Sequence, residues 1–329
     1  MNWENKKVLV TGAGGFIGSH LCEALLNNGA DVTAMIRYTS RSDWGNLEFI
    51  PPKLKACIKV VAGNIEDNDF VARQVKGKDI VFHLAALIAI PYSYVAPLSY
   101  ARTNVEGTLN VMESARNFGV ERVVHTSTSE TYGTAIYTPI DEKHPLQAQS
   151  PYSASKIGAD KISESYHLSF DLPVSIIRPF NSFGPRQSAR AVIPTVISQA
   201  LTQNEIRLGT LDPVRDLTYV KDTVQGFIKI AESEKAIGET INIGFGKGIT
   251  VLDLAGKILS LMDIEKSIIR EDKRLRPEKS EVYTLICDGS KAAKLTGWSP
   301  RYSLSEGLIE TIEFVSKNLN MYKPGIYTL

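Results

Sequence analysis

The sequence predicts an α/β protein built on a doubly wound parallel sheet, with a smaller C-terminal region. One observation is that short apolar runs rich in β-branched residues alternate with helical patterns. Another is a glycine-rich turn at residues 12–18, between the apolar run 8–11 and an apolar-periodic helix. Such alternation is typical of parallel sheets that are covered by helices on both faces.

Seven segments fit buried strands because each is short, largely apolar and bounded by turn or charged residues. They are residues 8–11, 31–36, 58–64, 79–84, 122–127, 174–178 and 240–243. The clearest helical patterns are residues 104–118, 152–170, 194–202 and 304–315. After Arg178 the alternation loosens, and prolines and glycines indicate longer loops that build the smaller region.

The glycine-rich turn has the strand, turn and helix context of a dinucleotide-binding fingerprint. Gly12 permits the tight turn, Gly15 lets the backbone approach a pyrophosphate, and Gly18 lets the helix pack closely on the strand. The N–H groups at the helix start then face the anion. A glycine turn without a ligand is the alternative, but the flanking strand and helix favour a cofactor and a Rossmann-type sheet.

Composition restricts the class of function further. The 43% hydrophobic and 22% charged fractions are typical of a soluble globular enzyme, and the net charge of +1 gives no electrostatic basis for binding nucleic acid or a membrane. The three cysteines lack paired or metal-binding spacing and the five histidines are scattered. We therefore expect no metal site and a reducing, cytoplasmic location. No signal-peptide pattern precedes the first strand, and no apolar run has the length of a membrane helix.

Small and amide residues follow several of the predicted strands. In doubly wound sheets, ligands bind beyond the carboxyl ends of the strands. These positions hold Asn64 and Ile65 after the third strand, Leu84, Ala85 and Ala86 at the fourth, Thr128, Ser129 and Glu130 after the fifth, and Asn181 after the sixth. Their joint placement suits the close approach of a flat cofactor ring.

Tyr152 and Lys156 lie at i and i+4 at the start of a predicted helix, so they share one face. A cation beside a phenol favours the phenolate and lowers the pKa of the phenol. This arrangement makes Tyr152 a candidate base for a hydroxyl proton near neutral pH. On spacing alone, a Tyr and Lys pair on a solvated helix face is the alternative.

Four motifs together resemble the extended short-chain dehydrogenase/reductases, which are nucleotide-sugar epimerases and dehydratases. They are the glycine turn, the Tyr152 and Lys156 pair, His-Leu-Ala-Ala at 83–86 and Asn-Val-Glu-Gly-Thr at 104–108. The resemblance extends from Lys7 to about Val315. It is closest to bacterial UDP- or GDP-N-acetylglucosamine 4,6-dehydratases of legionaminic acid, quinovosamine or bacillosamine-type pathways. It implies a nucleotide-sugar substrate and NAD or NADP, held tightly and regenerated at each turnover.

The resemblance also implies roles at matched positions. Lys156 would hold the nicotinamide ribose, and Tyr152 would take the C4 hydroxyl proton as hydride leaves C4. The segment Thr128, Ser129 and Glu130 separates the subfamilies, because dehydratases carry an acid at the Glu130 position and epimerases carry small or apolar residues. Glu130 would remove the C5 proton, the C6 hydroxyl would leave as water, and hydride would return to C6. Ser129 stands where dTDP-glucose dehydratases have Asp, so the group that protonates the leaving hydroxyl stays open.

The predicted ligand-binding residues form two sets. The cofactor set comprises Gly12, Gly15, Phe16, Ile17, Gly18, Arg37, Asn64, Ile65, Leu84, Ala85, Ala86, Tyr152 and Lys156. The substrate set comprises Asn181, Arg215 and Arg276, whose amide and guanidinium groups would face the nucleotide sugar. No acid ends the second predicted strand, so Arg37 and Arg41 could meet a 2′-phosphate or Arg37 could stack on adenine. NAD and NADP therefore both stay open.

We predict a dinucleotide-binding domain over residues 1–180 with a returning segment at about 216–244, and a substrate-binding region over 181–215 and 245–329. The resemblance implies a homodimer that pairs the helices near 104–118 and 152–170 in a four-helix bundle. The expected activity is a UDP-N-acetylglucosamine 4,6-dehydratase. A UDP-hexose 4-epimerase and a GDP-sugar 4,6-dehydratase are the alternatives. The intact Tyr152, Lys156 and Glu130 argue against an inactive redox sensor or nucleic-acid-binding protein.

Overall fold

The computed structural model describes residues 1–275 and 277–323. The strands are β1 (Lys7–Thr11), β2 (Asp31–Arg37), β3 (Lys59–Gly63), β4 (Ile80–His83), β5 (Arg122–Thr126), β6 (Val174–Pro179), β7 (Asn181–Phe183), β8 (Ile206–Leu208), β9 (Val214–Tyr219), β10 (Thr240–Ile243), β11 (Gly248–Thr250), β12 (Ile268–Arg270) and β13 (Thr284–Leu285). The helices are α1 (Phe16–Asn27), α2 (Pro52–Lys55), α3 (Asn68–Val75), α4 (Ile90–Val95), α5 (Pro97–Tyr100), α6 (Gly107–Asn117), α7 (Pro151–Phe170), α8 (Val192–Thr202), α9 (Val220–Glu232), α10 (Val251–Leu261), α11 (Ser290–Thr296) and α12 (Leu304–Lys317).

The large sheet has seven parallel strands in the order β10-β6-β5-β4-β1-β2-β3. They coincide with the seven strands predicted from the sequence, and the predicted doubly wound fold is confirmed. The strand order reverses between β1 and β4, which leaves a crevice at the carboxyl ends of these two strands. The glycine-rich turn follows β1 directly, so the fold places it at that crevice.

Alternating side chains of β1 explain why both faces of the sheet are covered. Val8 and Val10 join the apolar cluster beneath α1 and α9, whereas Leu9 between them joins the cluster beneath α3 and α6. Successive residues of a strand point to opposite faces, so a continuous apolar run requires helices on each side. All three side chains are fully buried.

The smaller region is built around β9, which pairs with β7, β11 and β13. The predicted return to the large sheet at about residue 216 falls inside this strand. In the structure, β9 belongs entirely to the smaller sheet, and the return begins with α9 and ends with β10 on the edge of the large sheet. One apolar cluster runs from Val8 in the large sheet to Val315 in α12, so the two regions share a core.

The helix predicted at 104–118 differs from the observed one. The helical path runs from α5 through a π-helical segment, Ala101–Glu106, into α6. Within that segment, Asn104 accepts a hydrogen bond from the Leu87 N–H at 2.8 Å and donates to the Leu87 carbonyl and to Ser155 Oγ. The wider π turn accompanies these buried contacts, as π segments often do near functional sites.

Helix α7 starts at Pro151, one residue before the predicted start, after a capping box formed by Ser150 and Ser153. Helices α8 and α12 likewise extend slightly beyond the predicted segments. Across residues 1–275 and 277–323, we find no helix with both the length and the apolar character needed to span a bilayer.

Candidate active site

A cleft of about 1090 Å³ lies at the carboxyl ends of the large-sheet strands, with the smaller region forming its other wall. Most of the predicted site residues line it. They are Gly12, Gly15, Phe16, Ile17, Gly18, Arg37, Leu84, Ala86, Thr128, Ser129, Glu130, Tyr152, Lys156, Asn181 and Arg215. Arg276 lies outside the described residues.

Close backbone packing in the glycine turn leaves no room for side chains at Gly12 and Gly18. Gly12 has a φ of +69°, and a Cβ on it would lie 2.8 Å from the Ala85 nitrogen. A Cβ on Gly18 would lie 2.4 Å from the Gly12 carbonyl oxygen, so only glycine allows this helix-to-strand packing. Gly15 is the N-cap of α1 and no side chain caps the helix start. The cradle therefore fits the pyrophosphate of a dinucleotide.

Three predicted cofactor residues are not among those that line the cleft. Ile65 is buried against α6, and its carbonyl accepts a hydrogen bond from Asn110 at 3.1 Å. Asn64 is exposed, and its side chain accepts from the Glu66 N–H at 3.4 Å. The Ala85 N–H donates to Thr11 Oγ1 at 3.1 Å, which fixes the loop after β4. Any direct cofactor contact by these residues stays a prediction.

Tyr152 and Lys156 lie one turn apart on α7, and both side chains are buried. Lys156 Nζ donates a hydrogen bond to the Thr126 carbonyl at 2.5 Å. Burial lowers the pKa of Lys156 to about 8, and the charge of Asp160 opposes this shift. Burial raises the pKa of Tyr152, and the interaction with the Thr128 hydroxyl offsets only part of that effect. The structure thus departs from the expectation that Lys156 lowers the pKa of Tyr152, because burial dominates and the ammonium faces Thr126.

The acid predicted to act at C5 lies in a short 3₁₀ turn, Ser129–Tyr132, directly after β5. Thr128 caps this turn, because its Oγ1 accepts the Glu130 N–H at 3.2 Å. Ser129 is buried, whereas Glu130 is partly exposed towards the cleft. The negative charge of Glu130 is close enough to Tyr152 to raise its pKa. The Glu130 carboxylate and the Tyr152 phenol therefore lie near each other in the same cleft.

The loop after β2 contributes residues that the sequence reasoning missed. Asp43, Trp44 and Gly45 line the cleft next to the glycine turn. The Gly45 N–H donates to Asp43 Oδ1 at 3.2 Å, and the Asn46 N–H donates to the Gly14 carbonyl at 2.9 Å. The Asp-Trp-Gly triplet is typical of an Asx turn, so the sequence could have predicted a turn with a carboxylate in this loop. The end of the cleft next to the glycine turn thus holds both Arg37 and Asp43.

Basic residues outnumber acidic ones among the described residues of the cleft. The basic residues are Arg37, Lys156, Arg190, Arg215, Lys273 and Arg274, and the acidic residues are Asp43, Glu130 and Glu281. Arg215 Nη2 lies 3.4 Å from Glu281 Oε1, which holds the guanidinium at the wall. The excess of positive charge suits an anionic ligand such as a diphosphate. Within the described residues, no cluster of three or more His, Cys, Asp or Glu side chains could hold a metal ion.

The fold, the glycine cradle and the buried Tyr152 and Lys156 pair together define an extended short-chain dehydrogenase/reductase. A family model described as GDP-mannose 4,6 dehydratase matches residues 9–311. The chain belongs to this family of nucleotide-sugar dehydratases and epimerases, and is an enzyme of that family.

Its relatives include both kinds of enzyme. An uncharacterized UDP-glucose epimerase, YtcB, of Bacillus subtilis is 33% identical, with 94% of this chain and 98% of that protein covered. A dTDP-glucose 4,6-dehydratase of Streptomyces antibioticus is 32% identical, with 96% and 94% covered. The crystal structure of the dTDP-glucose 4,6-dehydratase DesIV from Streptomyces venezuelae, with NAD and TYD bound, has a TM-score of 0.88 at 30% identity and covers 96% of this chain and 98% of that one.

Proposed function

We propose that this protein is an NAD(P)-dependent nucleotide-sugar 4,6-dehydratase that converts UDP-N-acetylglucosamine to UDP-4-keto-6-deoxy-N-acetylglucosamine. The observation that supports this activity is Glu130 in the same cleft as Tyr152 and Lys156. A 4-epimerase removes no proton from C5, so a carboxylate at this point has a catalytic use only in the dehydratase. The choice of UDP and of the N-acetylated sugar follows the resemblance described above.

The residues of the cleft account for the proton transfers of such a reaction. A bound nicotinamide dinucleotide supplies a ring that accepts hydride from C4 and later returns it to C6. Tyr152 takes the proton of the C4 hydroxyl as C4 becomes a ketone, and the ketone acidifies the C5 proton. Glu130 takes that proton, and the C6 hydroxyl gains a proton and leaves as water. The two protons taken from the C4 hydroxyl and from C5 equal the two that are returned, one to the leaving hydroxyl and one to C5. A proton returned to C5 completes the 4-keto-6-deoxy product.

We propose that NAD or NADP binds tightly along the glycine cradle, with the nicotinamide towards Tyr152 and Lys156. The DesIV crystal structure has NAD bound, which supports this class of cofactor. Asn181 and Arg215 line the opposite wall and would bind the nucleotide sugar, together with Arg276. The described members of both sets that line the cleft share it with Tyr152 and Lys156, as a reaction between cofactor and sugar requires.

Mass spectrometry of the product tests the activity directly. The purified protein is incubated separately with UDP- and GDP-N-acetylglucosamine, and the expected product of the UDP sugar has lost one water. In deuterium oxide, the dehydratase product carries deuterium at C5, because the proton placed there comes from an exchangeable group. A product that keeps the mass of the substrate but is separated from it by chromatography identifies the alternative, a UDP-hexose 4-epimerase, which the epimerases among the relatives favour. Water loss only from the GDP sugar identifies a GDP-sugar 4,6-dehydratase.

We also propose a cytoplasmic homodimer that pairs α6 and α7 across a two-fold axis. Exposed apolar side chains on or next to these helices support the interface, namely Leu109, Phe118, Leu168 and Phe170. All three cysteines are free, as expected in a reducing compartment. Light scattering at micromolar concentration measures the oligomeric state, and a monomeric mass would contradict the dimer.

A further inference from the structure

A buried carboxylate lies beneath the catalytic pair and takes no part in the proton transfers described above. Asp160 follows Lys156 by one turn on α7 and is 2% exposed. Its Oδ2 accepts hydrogen bonds from Ser127 Oγ at 2.6 Å and from Arg178 Nη2 at 2.9 Å. Its Oδ1 lies 3.2 Å from His125 Nε2, without hydrogen-bond geometry.

These contacts tie the catalytic helix to the two strands beside it. Ser127 follows β5 and Arg178 lies in β6, so one carboxylate links α7 to the carboxyl ends of both strands. Arg178 also donates to the Tyr132 hydroxyl at 3.0 Å, and Tyr132 in turn donates to Asn242 in β10. The network extends from the catalytic helix to the edge of the large sheet.

The charges around Asp160 come from every element packed against it. They belong to Lys156 on α7 and Arg178 on β6, with the imidazoles of His125 on β5 and His83 on β4 and the phenol of Tyr132 nearby. Burial favours the neutral form of both imidazoles, so the cations here at neutral pH are Arg178 and Lys156. Arg178 is held by direct hydrogen bonds, whereas Lys156 is turned to the Thr126 carbonyl.

An ammonium in a dry interior loses its proton unless a negative charge is near it. We propose that Asp160 is the buried counter-ion that keeps Lys156 protonated, and that it thereby sets the alkaline limit of the Tyr152 and Lys156 pair. Asp160 is a positioning residue, because it acts through Lys156 and does not line the cleft. This role rests on the proposed function, in which the Lys156 cation lies beside the bound nicotinamide and Tyr152. It agrees with the opposing effects of burial and Asp160 on the pKa of Lys156.

The test compares pH profiles of kcat for the wild type and three variants from about pH 6 to pH 10. Asp160→Asn keeps the shape but removes the charge, and we expect the alkaline limb to move about one to three pH units lower. Asp160→Glu restores the charge and moves the limb back. Ser127→Ala removes one hydrogen bond to the same oxygen and leaves the limb where it is in the wild type. A loss of turnover that is equal at every pH would overturn the proposal and give Asp160 a purely structural role.

Two further measurements keep the outcome unambiguous. Asp160→Asn leaves Arg178 as an unpaired buried cation, so the double variant Asp160→Asn/Arg178→Gln removes both charges where the single variant does not fold.

Fluorescence titration of NAD over the same pH range reports the protonation state of Lys156 without any sugar reaction. We expect the loss of affinity on raising the pH to begin at a lower pH in the Asn variants than in the wild type. An unshifted NAD titration contradicts the counter-ion role, whereas a shifted titration with no sugar turnover contradicts only the proposed function.

Discussion

The imidazoles of His83 and His125 are direct register partners on β4 and β5, with ring centres 5.5 Å apart. Both are almost completely buried beneath the catalytic cleft. His83 bonds to Thr11 and Thr108, so its two ring nitrogens are occupied within the sheet. Burial lowers the pKa of His125 to about 4, with the charge of Lys156 adding to the shift, and it lowers the pKa of His83 well below its usual value.

We expect the free energy of unfolding to decrease as the pH falls from about 6.5 to about 4. In this range the unfolded chain binds protons on these histidines and the folded chain does not, so acid favours unfolding. His125 alone accounts for a loss of about 3 kcal/mol over the full range. Urea unfolding at several pH values measures the slope, and His125→Gln should make it shallower. Equal slopes in the variant and the wild type would contradict the burial argument.

Tyr152→Phe removes the proposed base at C4 and should lower turnover by about two to four orders of magnitude. Binding of cofactor and nucleotide sugar should remain, because the ring and its packing are kept. Single-turnover kinetics and equilibrium titration separate the two effects. Tyr100→Phe is the matched control, since this buried ring lies 6.2 Å from Tyr152, its hydroxyl donates to the Ala89 carbonyl, and Tyr100 itself does not line the cleft. Near-wild-type turnover of Tyr152→Phe would exclude Tyr152 as the base.

Glu130→Gln keeps the size and hydrogen-bonding capacity of the side chain but removes the base at C5. Oxidation at C4 should survive, and water loss should slow by about two to four orders of magnitude. The variant should therefore accumulate the absorbance of reduced nicotinamide during turnover. Glu130→Asp, which retains a carboxylate, should recover part of the water loss. Undiminished water loss in the Gln variant would remove Glu130 from the mechanism.

Gly18→Ala should weaken both cofactor binding and the fold, because the added Cβ meets the Gly12 carbonyl oxygen at 2.4 Å. Crowding of this kind costs about 1–3 kcal/mol of stability. Gly256→Ala is the control, since a Cβ at this exposed position in α10 meets nothing within 4 Å and should stabilise the protein by about 0.5–1 kcal/mol. Thermal unfolding with and without NAD compares the two variants. A Gly18→Ala protein with unchanged stability and NAD affinity would contradict the role of Gly18 in packing α1 against β1.

Arg37 and Asp43 should shift cofactor preference in opposite directions. A guanidinium at the 2′ position of the adenosine ribose favours the phosphate of NADP, and a carboxylate favours the hydroxyl of NAD. Arg37→Ala should weaken NADP binding by about tenfold or more, and Asp43→Asn should weaken NAD relative to NADP. Fluorescence titration of each protein with both cofactors gives the ratio. If neither variant changes the ratio, the 2′ group is bound elsewhere.

Local patterns predicted the large sheet well, because the apolar strand runs and the glycine turn are encoded by adjacent residues. The capping box of Ser150 and Ser153 and the i, i+4 spacing of α7 are equally local. The π segment was missed because it depends on the contact of Asn104 with Leu87. Asp43 was missed because its loop reaches the cofactor end only by packing on the glycine turn. The contacts of Asp160 with Ser127 and Arg178 depend on strand pairing between β5 and β6, which one sequence does not reveal.

The chain passes through β9 of the smaller sheet before it returns to the large sheet at β10. Neither the large-sheet region nor the smaller region is therefore one contiguous stretch of sequence. A fragment ending near residue 180 would lack α9, which covers β5 and β6, and would leave β6 as an unpaired edge. Recombination therefore cannot exchange the smaller region as a single segment without removing α9 and β10 from the large sheet. Variants of the cleft therefore have to be made by substitutions within the intact chain.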